Sequence, residues 1–265
     1  MKYGYCLDIK FLDGDETSRN IFDAVAEAGF DYVELPLSAL SALPEAKIVQ
    51  LKEELKKIPC KACNLFFPPS LTLVGENMDM LGIVAYLQRM LPFAVELGVE
   101  TLVFGNGGAR KVPDGIARER VWANLRTIVE TMDIYATKAG ITIAVEPLNR
   151  TETNIINSYS EAVELTKGLK NVSAMVDSYH VAMENQSYDD VVQSPSGLKH
   201  LHTAYPLGRM VPSPADDMAL YETFKKAIKA TGYAGKMSIE GALRGKNADE
   251  VRLEVKSALE VVRGF

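Results

Sequence analysis

ITIAVEPLNR, residues 141–150, is the stretch whose reading decides the fold. β-Branched and small residues run up to Glu146, and Pro147, which cannot donate a ladder hydrogen bond, ends the run. The pattern predicts a buried strand that delivers one carboxylate to its own C-terminal end. Strand side chains alternate between faces, so Thr142, Ala144 and Glu146 share one side and Ile143 and Val145 the other. In an α/β barrel the bulky pair faces the helices and Glu146 faces inward at the C-terminal rim, where that architecture gathers its chemistry.

The same reading extends along the chain in both directions. Short apolar runs alternate with amphipathic ones from end to end, as repeated βα units around a parallel sheet require. Eight strand candidates follow: residues 3–9, 32–37, 62–67 and 101–108, the one carrying Glu146, then 173–180, 198–205 and 236–242. Helices are expected from Thr17 or Ser18 to Gly29 and over 44–57, 78–97, 113–139, 160–168, 215–231 and 248–263. No low-complexity linker interrupts the series, which predicts one domain over residues 1–265 and an α/β fold of the single (β/α)8 barrel type.

Composition narrows the function. With 47% hydrophobic and 24% charged residues, 265 positions suffice for a full-sized core. The net charge of −6 speaks against nucleic-acid and anionic-membrane partners. Asp8 and Lys10 interrupt the apolar stretch a secretory leader needs, and no later segment approaches a membrane span, so a cytoplasmic location is expected. The three cysteines are no disulfide framework, and Cys60-x-x-Cys63 lacks the second pair or histidine that would complete a zinc site. The glycines of GNGGAR, residues 105–110, lack dinucleotide-binding spacing, and Arg110 after them is expected to meet a surface carboxylate in preference to a phosphate.

The late strands repeat the pattern of the fifth. Alternation puts Ser173, Met175 and Asp177 on one side of the sixth, Leu198, His200 and His202 together on the seventh, and Ser238 with Glu240 on the eighth. Four consecutive strands therefore each present an inward metal-competent residue: Glu146, Asp177, His202 and Glu240. Three carboxylates at one mouth would repel by several kcal/mol at intermediate dielectric, a cost a divalent cation removes. Three oxygen donors and one imidazole suit Mn2+, placed first, or Mg2+ or Co2+; Zn2+ is the alternative. His200, deeper in its strand, is expected as a satisfied core histidine. Glu34, inward beside Tyr32, is expected as a sugar contact, with a rim ion pair as the alternative. Phe66, Phe67 and Tyr205 are candidates for an apolar wall, and Trp122 for helix packing.

Together E-P-L-N-R-x-E (Glu146 to Glu152), D-x-x-H (Asp177 to His180), the H-x-H ending at His202 and S-I-E-G (Ser238 to Gly241) resemble the sugar phosphate isomerase/epimerase group of xylose-isomerase-like TIM barrels. They are most similar to the D-tagatose 3-epimerase and D-psicose 3-epimerase family. The resemblance implies a divalent metal on Glu146, Asp177, His202 and Glu240, with Glu146 and Glu240 as the acid/base pair. It implies substrate contacts from Glu152 and His180, and from an arginine after the H-x-H. The nearest candidate, Arg209, lies one residue farther on than the family pattern. It also implies a homo-oligomer, a dimer or tetramer, acting on a small sugar.

The expected reaction is interconversion of C3 epimers of a ketohexose or ketopentose through a metal-stabilised enediolate. One glutamate takes the proton from one face and the other returns it from the opposite face. A hydroxypyruvate or inosose isomerase, or an inosose dehydratase, on the same metal site is the alternative. More remote are a DNA-repair endonuclease of this barrel type, which needs more histidines than His180, His200 and His202, and a non-catalytic sugar-binding barrel.

Overall fold

The computed structural model describes residues 1–265, in which eight parallel strands pair in chain order, β8 returning to β1 to close the barrel. They are β1 (Lys2–Cys6), β2 (Tyr32–Pro36), β3 (Cys60–Asn64), β4 (Thr101–Phe104), β5 (Thr142–Val145), β6 (Val172–Asp177), β7 (Leu198–Thr203) and β8 (Lys236–Ile239). Between and after them run α1 (Glu16–Ala28), α2 (Leu37–Leu40), α3 (Glu45–Glu54), α4 (Met80–Glu96), α5 (Gly107–Arg110), α6 (Arg118–Ala139), α7 (Tyr159–Leu165), α8 (Ser178–Met183), α9 (Asp189–Gln193), α10 (Ala219–Thr231) and α11 (Ala248–Arg263). None is long and apolar enough to cross a membrane.

Side-chain caps set several helix starts: Asp15, Asp79, Ser158 and Asn247 accept backbone N–H groups in the first turns of α1, α4, α7 and α11. Gly29 and Gly140 end α1 and α6 in the left-handed region. The outward strand residues Ile143 and Val145 join the main apolar cluster with helix residues such as Leu125 and Leu259. Inside the barrel Val103, Ala144 and Met175 form a separate small cluster. The interior above it carries polar side chains.

The strands stop earlier at their C-terminal ends than the apolar runs suggest. β4 ends at Phe104 because the glycines turn the chain away, and β3 covers Cys60–Asn64 instead of 62–67 because Leu65 adopts φ +44. β6 ends at Asp177, whose side chain caps α8, so His180 stands on a helix and not on the strand. Apolar residues of rim loops mimic strand periodicity; the backbone leaves the sheet where its hydrogen bonds have other partners.

Candidate active site

Glu146 follows β5, Asp177 ends β6, His202 lies within β7 and Glu240 follows β8. One donor atom from each lies within 4.8 Å of the others. His202 Nδ1 stands 3.2 Å from Glu146 Oε1 and 3.1 Å from Glu240 Oε2. The four residues singled out in the sequence therefore meet at one point of the C-terminal mouth. Asn64, at the end of β3, joins them by donating from Nδ2 to Glu240 Oε1 at 3.2 Å. Its only signal in the sequence is a polar residue interrupting an apolar run.

Asp177 divides its two oxygens between tasks. Oδ1 accepts the Tyr179 N–H at 2.9 Å as the cap of α8, leaving Oδ2 for the site. One turn into α8, His180 Nε2 lies 3.6 Å from that Oδ2 and 4.0 Å from Glu146 Oε1. His180 Nδ1 faces the backbone N–H of Asn149 at 3.3 Å, a group that can only donate, and Asn149 Nδ2 at 2.8 Å. Nδ1 is thus the acceptor and Nε2 carries the proton. That buried Nε2 has no hydrogen-bond partner within the protein and is aimed at the site.

Asn149 also donates to Glu152 Oε1 at 3.2 Å, so the loop after Pro147 holds His180 and Glu152 in one arrangement. Arg209 completes the rim. It adopts φ +50 directly after Gly208 at φ +79, a reversal that pairs Tyr205 with Met210 and turns the side chain over the mouth. Its Nη2 donates to Glu240 Oε2 at 2.7 Å and Asp177 Oδ2 at 3.3 Å, and Nη1 lies 3.5 Å from Glu152 Oε1. The guanidinium covers the Tyr179 ring at 4.7 Å, a platform the sequence did not reveal. Arg209 therefore reaches the site despite its displaced position.

Three expectations are corrected. Glu34, expected as a sugar contact or a rim ion pair, does not lie at the rim: it is fully buried, with His200 and His202 on its carboxylate. Arg110 is not at the surface but fully buried, donating to the carbonyls of Phe104, at 2.9 Å, and of Glu146. The Phe104 carbonyl also accepts the Glu146 N–H at 3.2 Å, whereas the Glu146 carbonyl finds its partner in this guanidinium. Phe66 and Phe67 form no wall of the site, since both are fully buried against Tyr86 and Phe104. His200 is paired through Nε2, but its Nδ1 has no partner.

Charge at the site is unbalanced. Burial alone would push the Glu240 carboxyl up, yet His202 and Arg209 hold it down to about 2. Burial likewise opposes charge on His202, but Glu34 foremost, with Cys6 and Glu240, carries the imidazole well above its ordinary value. Burial works against the Arg209 charge too, and Asp177, Glu240, Glu146 and Glu152 outweigh it. Glu34, Glu146, Glu152, Asp177 and Glu240 thus face Arg209 and His202, with Arg110 behind the strand ends. An oxygen-rich donor set with one imidazole and an excess of negative charge fits a divalent cation.

The family described as xylose isomerase-like TIM barrel matches residues 22–262. A D-psicose 3-epimerase of Agrobacterium fabrum is 22% identical over 236 residues, covering 82% of this chain and 77% of its own. A ketose 3-epimerase of Arthrobacter globiformis is 25% identical over 226 residues, covering 81% and 74%. The crystal structure of D-psicose 3-epimerase with D-tagatose from Clostridium cellulolyticum H10 superposes with a TM-score of 0.81 at 22% identity, covering 100% of this chain and 99% of the other.

Proposed function

The chain belongs to the xylose isomerase-like TIM barrel family, and on that premise we propose that it is a divalent-metal-dependent ketose 3-epimerase. The observation that carries the reading is the approach of Glu146 and Glu240 to the same nitrogen of His202 from β5 and β8, three strands apart. Two carboxylates then reach one point from separate strands, the pair of acid/base groups that inversion at a carbon uses. The relatives named as ketose 3-epimerases support the same reaction class.

Glu146, Asp177, His202 and Glu240 would hold the cation, which when bound supplies Lewis-acid polarisation of a keto-sugar carbonyl. Glu146 takes or returns the C3 proton on one face of the sugar and Glu240 does so on the other. Each properly placed acid or base contributes roughly 10² to 10⁴ in rate. The Nε2–H of His180 donates to a substrate oxygen, and Glu152 accepts from a neighbouring hydroxyl. Arg209 lies over the mouth and shields the reacting carbon from water.

A panel of ketoses incubated with the protein and Mn2+ in deuterated water tests this. Deuterium at C3 with formation of the C3 epimer is expected, and a chelator should stop both. Exchange without epimer, or epimerisation that survives Glu146→Gln and Glu240→Gln, would sink the reading.

A further inference from the structure

Behind the four converging donors, the fully buried Glu34 has both carboxylate oxygens engaged. Oε1 lies 3.0 Å from His202 Nε2, while Oε2 lies 2.9 Å from His200 Nε2 and 2.6 Å from Ser238 Oγ, which also contacts the Tyr32 hydroxyl at 2.9 Å. These partners come from β2, β7 and β8, so the arrangement spans the barrel interior. Three groups able to donate ring the two oxygens at hydrogen-bond distance, and a carboxylate so surrounded accepts from Ser238 Oγ and from the Nε2 atoms of His200 and His202.

That requirement reaches the front of the His202 ring. With Nε2 carrying a proton toward Glu34, Nδ1 is the nitrogen facing Glu146 and Glu240. A metal-ligating imidazole needs a lone pair on that nitrogen and a fixed ring plane. We propose that Glu34 is a positioning residue that sets the tautomer and orientation of His202, making Nδ1 the metal ligand. The proposal rests on the reading that His202 holds a divalent cation.

Glutamine at position 34 separates this role from simple packing. An amide offers one accepting oxygen and one donating nitrogen. The Oε2 side already holds two donors, His200 and Ser238, and so claims the oxygen. The amide NH2 then faces His202 Nε2, which must accept, and the ring proton moves to Nδ1, where it blocks the ligand position. Adding Ser238→Ala relaxes the competition: a neutral His200 can accept through Nε2, the amide reverses, and its oxygen returns to His202.

The test is calorimetric titration of Mn2+ into the metal-free chain, with imidazole nitrogen spectra of the Zn2+-loaded protein. Glu34→Gln should weaken Mn2+ binding by about 10- to 100-fold, the range for carboxylates that orient a ligating histidine. Glu34→Gln with Ser238→Ala should regain most of that loss, whereas a purely structural role makes the double variant worse. If Glu34→Gln does not fold, Glu34→Asp should bind Mn2+ more weakly yet keep its proton on His202 Nε2. Wild-type affinity in Glu34→Gln, a double variant weaker than the single, or an Asp variant with the proton on Nδ1 would overturn the proposal. A wild-type chain that binds neither Mn2+, Mg2+, Co2+ nor Zn2+ overturns the metal reading and this inference together. Intact wild-type binding with no effect at position 34 overturns only this one.

Discussion

Gly105 passes so close to Glu146 that a Cβ at that position would stand 1.9 Å from Glu146 Oε2. The glycine is there for space: the carboxylate occupies the volume any side chain would take. Gly105→Ala should therefore displace the Glu146 carboxylate while leaving the barrel folded. Misplacement by about an ångström costs on the order of 10²-fold in rate. Steady-state kinetics beside far-ultraviolet circular dichroism checks this, and an alanine variant of unchanged kcat/KM would refute it.

Arg110 holds the ends of β4 and β5 through the carbonyls of Phe104 and Glu146. Arg110→Met keeps much of the volume and removes both donors. The Phe104 carbonyl keeps the Glu146 N–H, so the Glu146 carbonyl alone is left unpaired, and a loss of about 1–3 kcal/mol in urea unfolding is expected. Arg110→Lys should not recover it fully, because an ammonium lacks the planar fork that reaches two acceptors at once.

Arg209 touches Asp177, Glu240 and Glu152 without being a metal-competent group itself. Arg209→Met should lower kcat/KM by roughly 10- to 100-fold, the equivalent of a lost charged hydrogen bond. Mn2+ affinity should stay level or tighten, since a neighbouring positive charge disappears. Parallel loss of metal affinity would assign Arg209 to holding the site together instead.

Glu161, at the start of α7, accepts the backbone N–H of Asn157 at 2.6 Å and pairs with Arg118. Asn157 in turn donates to the carbonyls of Leu148, at 2.7 Å, and Thr153, at 3.0 Å, fastening the loop that carries Asn149 and Glu152. Burial raises the Glu161 carboxyl, but Arg118 and the backbone donors bring it below its ordinary value of 4.5. Because the folded value is the lower one, this stabilisation is present above pH 4.5 and fades as pH falls through the lowered value. Hydrogen exchange of the 147–157 loop should accelerate in that acid window. Glu161→Gln should exchange faster already at neutral pH and respond less to acid.

The alternation of strand residues was enough to find Glu146, Asp177, His202 and Glu240, and the structure brings all four together. The E-P-L-N-R-x-E and D-x-x-H motifs likewise pointed to Glu152 and His180, which the Asn149 loop joins. Less was legible where the chain leaves the sheet. Phe66 and Phe67 read as strand and wall residues because their apolar character is the same in either setting. Leu65 at φ +44 turns them into the core beside Tyr86 and Phe104.

By itself the sequence determined the order of βα units and the residues that share the inward face at the mouth. Both follow from local periodicity, which a strand expresses wherever it packs. Only the tertiary structure decided the places of Glu34 and Arg110. A charged side chain can be solvated or buried, and the choice depends on partners distant in the chain: Glu34 meets His202 across 168 positions, and Arg110 meets the Glu146 carbonyl across 36. Desolvating either charge is costly unless such partners are in place, and barrel closure puts them there.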